Sequence, residues 1–180
     1  MFGIFGKKKT KKQAEVSAQN ARALWDTDYD DIWKIENKNN FLIAMNGWLF
    51  KKSNAGEDIE KLSHAERVFF SIFQLEAEVN NGGFSQFFFN SSGSFSNEIV
   101  GALREIGANQ AAEICQKALA ALGCEMPMDL EERQEKLEDV LTDDVDAALS
   151  ECDAAFCAYP DNLEELNYQF IFKNKAQFAC

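Results

Sequence analysis

The chain has 180 residues, 46% of them hydrophobic and 12% aromatic, with sixteen Phe and a formal net charge of −12. That length suits one domain, or one domain with a tail, and the apolar content supports a real core and excludes wholesale disorder. The negative charge excludes a body built to bind nucleic acid directly, and apolar stretches such as Phe41 to Met45 are far too short for a membrane span.

Residues 1–12 place Phe2, Ile4 and Phe5 before Lys7, Lys8, Lys9, Lys11 and Lys12. This order is the reverse of a secretory leader, and the apolar patch is too short for one. The segment reads as a basic, disordered tail; weak docking on an anionic membrane surface is its alternative use, and no other membrane association is expected. Without those five lysines, thirteen basic residues face thirty acidic ones, so residues 13–180 carry −17. They are expected to form a single acidic helical domain.

From Gln13 to about Asn37 the pattern predicts one or two helices, with Trp25, Tyr29, Ile32 and Trp33 on a packed face. The polar run Asn37 to Asn40 closes that segment, and a short helix over Phe41–Phe50 precedes a turn at Ser53-Asn54-Ala55-Gly56. Ser63-His64-Ala65-Glu66 is a capping box. The helix it opens aligns Val68, Phe69, Ile72, Phe73 and Val79, with Glu76 on the same stripe and in need of a partner. That helix is expected to stop at Asn80-Asn81-Gly82-Gly83, where left-handed backbone angles come cheaply.

Gln110 to Leu122 reads as an amphipathic helix ended by Gly123. Leu130, Leu137, Leu141, Val145, Ala148, Leu149, Cys152 and Phe156 form a further helical seam, with a break at Thr142 that would cap a second helix. Pro160-Asp161 opens a last helix through Leu163, Leu166, Phe170 and Ile171. Only two prolines occur, and no alternating β-branched run is long enough for a sheet. The fold class expected is all-α or nearly so, an irregular helical bundle.

Catalytic means are poor. With a single histidine, His64, HExxH is absent and no Ser/His/Asp set or Cys/His pair is supported by spacing, and Gly82-Gly83 fits neither GxxxxGK[ST] nor GxGxxG. Five cysteines, an odd number with no CxxC pair, read as reduced thiols of a cytoplasmic protein. No enzyme activity, cofactor or metal site is expected.

The most specific segment is Leu75 to Gly93, LEAEVNNGGFSQFFFNSSG. On physical grounds it is either a structural corner or a ligand or partner site. It resembles the signature of a bacterial family of small acidic helical proteins known as DNA mimics, whose motif is close to E-V-N-N-G-G-F-x-Q-[FY]-F-x-N. Glu78, Val79, Asn80, Asn81, Gly82, Gly83, Phe84, Gln86, Phe87, Phe88 and Asn90 match it, and the likeness runs from roughly Tyr29 to about Leu122. The resemblance implies an acidic surface that occupies the DNA site of a DNA-binding protein.

The surface to carry that role lies further along. Asp129, Glu131, Glu132, Glu135, Glu138, Asp139, Asp143, Asp144, Asp146, Glu151 and Asp153 are eleven acids in 25 residues. Helical throughout, this stretch would be about 37 Å long, roughly one carboxylate per 3.4 Å, similar to phosphate spacing along a DNA strand. Arg133 and Lys136 dilute it, and a solvated outer face is the bland alternative. The expected partner is a basic DNA-binding protein such as a transcription factor. A basic toxin or nuclease neutralised by an immunity-type protein is the second reading, and a small-ligand binder or enzyme using the Asn-Gly corner the third. Homodimer formation is left open.

Overall fold

The computed structural model describes residues 20 and 22–179. The basic segment 1–12 read from the sequence lies outside them. The chain divides into two compact units, Met1–Trp48 and Leu49–Cys180. Every regular element among the described residues is helical and none is a strand, so the fold is all-α.

In the first unit, residues 13–19 and 21 of the helical stretch expected from Gln13 to about Asn37 lie outside the described residues; in the rest, residues 22–25 are helical and α1 (Tyr29–Ile32) is a single turn. Aromatic rings do the packing here. Tyr29 meets Trp33 edge-on at 6.1 Å and Trp48 at 4.8 Å, and Trp33 meets Phe41 at 5.6 Å. Helix α2 (Lys38–Lys52) begins earlier than its apolar run. The reason is local: Asn37 Oδ1 accepts from the Asn40 amide at 2.9 Å, so the polar run that looked like an ending is a cap.

The second unit is organised around α3 (His64–Phe89). Ser63 and Glu66 form the predicted capping box. Val68, Phe69, Ile72 and Val79 are buried as the stripe requires, and Phe70 and Leu75 bury other faces of the helix. An α-helix apolar on several faces is a central helix. Packed against α3 are α4 (Ile99–Ile106), α6 (Leu130–Val140), α7 (Asp143–Phe156) and α8 (Leu163–Lys173), while α5 (Asn109–Leu122) packs on α4 and α7.

Helix α3 does not stop at the Asn-Gly run. Gly82 and Gly83 leave helical geometry, and a second helical segment follows through Phe89. Phe84, Phe87 and Phe88 belong to this continuation and are buried. Their rings form a chain, Phe84 to Phe88 at 6.0 Å, Phe87 to Phe88 at 5.4 Å, and Phe84 to Phe156 of α7 at 5.8 Å.

The acidic stretch is two helices rather than one long rod. Helix α6 ends at Leu141, and Thr142 caps α7 by accepting from the Val145 amide at 3.4 Å. In the predicted seam, Leu137, Leu149, Cys152 and Phe156 are buried, but Leu130 and Leu141 stand 40% and 37% exposed. Both sit at the ends of α6, where the core covers only the middle of the stripe.

Candidate functional site

The corner is built from the backbone outward. Gly83 has φ of +78°, and a Cβ there would also overlap the Asp153 carboxylate. Only glycine satisfies both constraints. The backbone break exposes the N-terminus of the continuing helix, and Asp153 of α7 covers it, its Oδ1 accepting from the Phe84 amide at 2.7 Å. A carboxylate at such an end also complements the helix dipole. Burial raises the pKa of Asp153, the Phe84 bond opposes that, and Asp146 adds to it. This acid serves the corner rather than the outer face assigned to it from spacing.

Across the break, Glu78 is the hub. Its Oε2 accepts from Gln86 and, at 2.9 Å, from Asn90 Nδ2, and Ser92 Oγ lies 3.4 Å from Oε1. The acid before the glycines thus clasps the amides after them. Asn80 turns elsewhere: its Nδ2 donates to the Tyr159 hydroxyl at 2.7 Å. Tyr159 is held at φ +50°. Burial pushes the Glu76 carboxyl up, the Tyr159 hydroxyl opposes that by favouring the carboxylate, and Glu164 pushes it further up. Asn81 and Gly82 are exposed.

Arg133 was expected to dilute the acidic surface. It is instead 0% exposed. Its Nε donates to the Phe88 carbonyl at 2.8 Å, Nη2 to Asn90 at 2.8 Å, and Nη1 to Pro127, Met128 and Asp129 at 2.9, 2.8 and 3.3 Å. Carbonyls at the end of α3 are the negative end of that helix dipole, which favours a cation. Burial lowers the arginine's pKa, and Asp129 opposes the shift. A Cβ on Gly93 would overlap the Phe88 carbonyl and Arg133 Nε, so the chain passes this point only as glycine.

With Arg133 turned inward and Lys136 half-buried, the fully exposed charges of α6 are all carboxylates. Glu131, Glu132, Glu135, Glu138 and Asp139 are all exposed. At 3.6 residues per turn they span an arc of roughly 120°, opposite Arg133 and Leu137. Asp129 caps α6, accepting from the Glu132 amide at 3.0 Å, and is itself exposed. On α7, Asp143, Asp144, Asp146 and Glu151 are exposed while Leu149, Cys152 and Phe156 face the core. Five of these acids, Glu131, Glu132, Asp143, Asp144 and Asp146, lie in first turns, where negative charge stabilises the helix. Among the described residues, no group of His, Cys, Asp and Glu could hold a metal ion, and no helix is long and apolar enough to cross a membrane.

The family model described as DMP19-like protein matches residues 60–174. The chain belongs to this family. No curated protein and no solved structure matches the chain. The DMP19-like region differs in extent from the likeness read by eye: it begins after Tyr29–Trp33 and continues beyond Leu122 to the end of α8. It therefore contains both the glycine corner and the acidic helices α6 and α7.

Two features of the DMP19-like region were missed in the sequence. Glu66 is 0% exposed, and besides its capping role it takes a bidentate ion pair from Lys52 Nζ at 2.8 and 2.9 Å. A lysine fourteen residues upstream gives no periodic signal. Arg133 carried a faint one, being the lone arginine in a strongly acidic helix.

Proposed function

We propose that this protein is a non-enzymatic DNA mimic whose α6–α7 face occupies the DNA-binding surface of a basic protein, such as a transcription factor. One observation carries the reading: the carboxylates of α6 stand exposed within one arc of the helix, while the arginine of that helix is withdrawn into the core. Membership of the DMP19-like family supports it, because the resemblance noted above joins such chains to DNA mimicry. The glycine corner has a supporting part in this reading. Its acid and amides bond one another, and its Asp153 fixes α7 against α3.

The partner site is adapted to a polyanion, so association is dominated by charge. Immobilised protein should recover DNA-binding proteins from a lysate of the source organism at about 50 mM salt and release them by about 200 mM. Duplex DNA added at low salt should displace them, because both ligands compete for one groove. Recovery that persists when Glu131, Glu132, Glu135, Glu138 and Asp139 are changed together to Gln or Asn would end the reading. Recovery of a basic toxin or nuclease in place of DNA-binding proteins would turn it into an immunity-type inhibitor.

A further inference from the structure

A cleft opens near the start of α3, roughly 24 Å along its axis from the glycine corner. Here α3 and α4 are bridged by two acid–base pairs. His64 Nε2 lies 2.9 Å from Glu105 Oε2, and Arg67 Nε donates to Glu98 Oε1 at 2.8 Å. These four side chains line a cleft of about 300 Å³, which is the lower end of the range for small-molecule sites. Its apolar lining comes from Val68 and Ala102, both buried, and from Gly101. Gly101 lies within α4, where glycine weakens a helix, and a Cβ there would meet no atom within 4 Å. Packing does not call for this glycine. What it does is keep the cleft open.

Charge says what kind of molecule fits. Among the described residues, the side chain of Arg67 is bonded through Nε alone, so the end-on pair of Nη donors is left over. That pair matches the two oxygens of a carboxylate. On the α4 side, Glu98 Oε2 is likewise unbonded, and Glu105 is exposed with lone pairs to spare. A simple anion would meet the carboxylates of Glu98 and Glu105, and a simple cation would meet Arg67. A zwitterion meets both signs with their opposites, and an apolar branch on it would cover Val68, Ala102 and Gly101.

We propose that this cleft binds a free α-amino acid with a mid-sized apolar side chain. Arg67 takes its carboxylate, Glu98 and Glu105 take its ammonium, and its side chain fills the space above Gly101. The site lies outside the α6–α7 face and stands independently of the mimic reading.

The test uses the full chain, labelled with nitrogen-15, and follows backbone amides by NMR as valine, leucine, methionine and phenylalanine are added. At least one should shift the Gly101 amide saturably, with a Kd at or below about 1 mM. Glycine, and the N-acetyl and amide derivatives of the best binder, should each bind at least about tenfold more weakly, since each lacks one of the three recognised groups. Gly101→Leu fills the cleft with a better helix former, so it should melt no lower than wild type and yet lose the amino acid. No saturable shift at Gly101 with any of the four up to about 10 mM overturns the proposal. So does equal binding of the N-acetyl or amide derivative, or a Gly101→Leu variant that still binds. Should that variant melt early, Glu105→Gln, at an exposed position, must weaken the amino acid about tenfold without weakening its N-acetyl derivative, which has no ammonium to lose. A Glu105→Gln variant that binds the amino acid as wild type does also overturns the assignment.

Discussion

At Gly83 two constraints coincide, a positive φ and the close approach of Asp153. Gly83→Ala should therefore lower stability by about 1–3 kcal/mol, read from urea unfolding. Asp153→Ala leaves the Phe84 amide uncapped and should cost about 1 kcal/mol. An unchanged midpoint for either variant would show that the corner is less constrained than its geometry indicates. Glu76 offers a test in pH. Its carboxyl is held above the ordinary 4.5, chiefly by burial, so the folded state keeps this proton to higher pH than the unfolded chain does. The resulting stability is fully present below 4.5 and is lost as pH rises through the raised folded value. Glu76→Gln stays neutral throughout. The melting temperature of wild type relative to this variant should be highest in acid and fall toward neutral pH; a difference independent of pH would contradict the burial argument.

Each end of α3 takes its position from a single cation, half-buried Lys52 at one and buried Arg133 at the other. Lys52 fixes the N-terminus of α3 through Glu66, and Arg133 ties its C-terminus to α6 through five carbonyls. Removing such a hub leaves several acceptors unsatisfied at once. Arg133→Met should cost on the order of 3 kcal/mol or more. Arg133→Lys should also destabilise, since one ammonium cannot match a planar fork that reaches both chain segments. Chemical denaturation checks both, and a lysine variant as stable as wild type would mean that charge alone suffices. The kink has the same logic in reverse. It breaks α3 at the glycines, and Glu78 then holds the two halves together from the side through Gln86 and Asn90.

Over the whole molecule the charge is uneven, and the fold keeps it so by placing α6 and α7 with their acids outward. The fivefold neutralised variant should still fold. Losing Glu131 and Glu132 from a first turn costs about 0.3–1 kcal/mol each at low salt. Losing Glu138 and Asp139 near the other end removes charges that oppose the dipole, so the net change should stay within about 1 kcal/mol. Circular dichroism and a melt would reveal any larger loss. Its association with a basic partner, in contrast, should weaken steeply and lose most of its salt dependence.

Several caps and turns were legible residue by residue. The Ser63–Glu66 capping box, the Thr142 cap, the left-handed glycine at Gly123 and the positive φ at Gly83 depend on neighbours within a turn, and each stands in the structure as the local chemistry requires. The buried seam of α7 was legible too, because a period of 3.6 is written along the chain. Periodicity misled at Leu130 and Leu141, since it names the face of a helix but not how far the core extends beneath it. The roles of Arg133 and Asp153 were hidden. Arg133 finds the Phe88 carbonyl 45 residues away, and Asp153 finds the Phe84 amide 69 residues away. Which acids stay in water and which are drawn inward is settled by where the ends of other helices leave unpaired amides and carbonyls. The sequence by itself determined the helices and the sign of the charge; tertiary packing alone decided which charges the protein presents and which it spends on holding itself together, because burying a charge is tolerable only where distant backbone groups are in place to receive it.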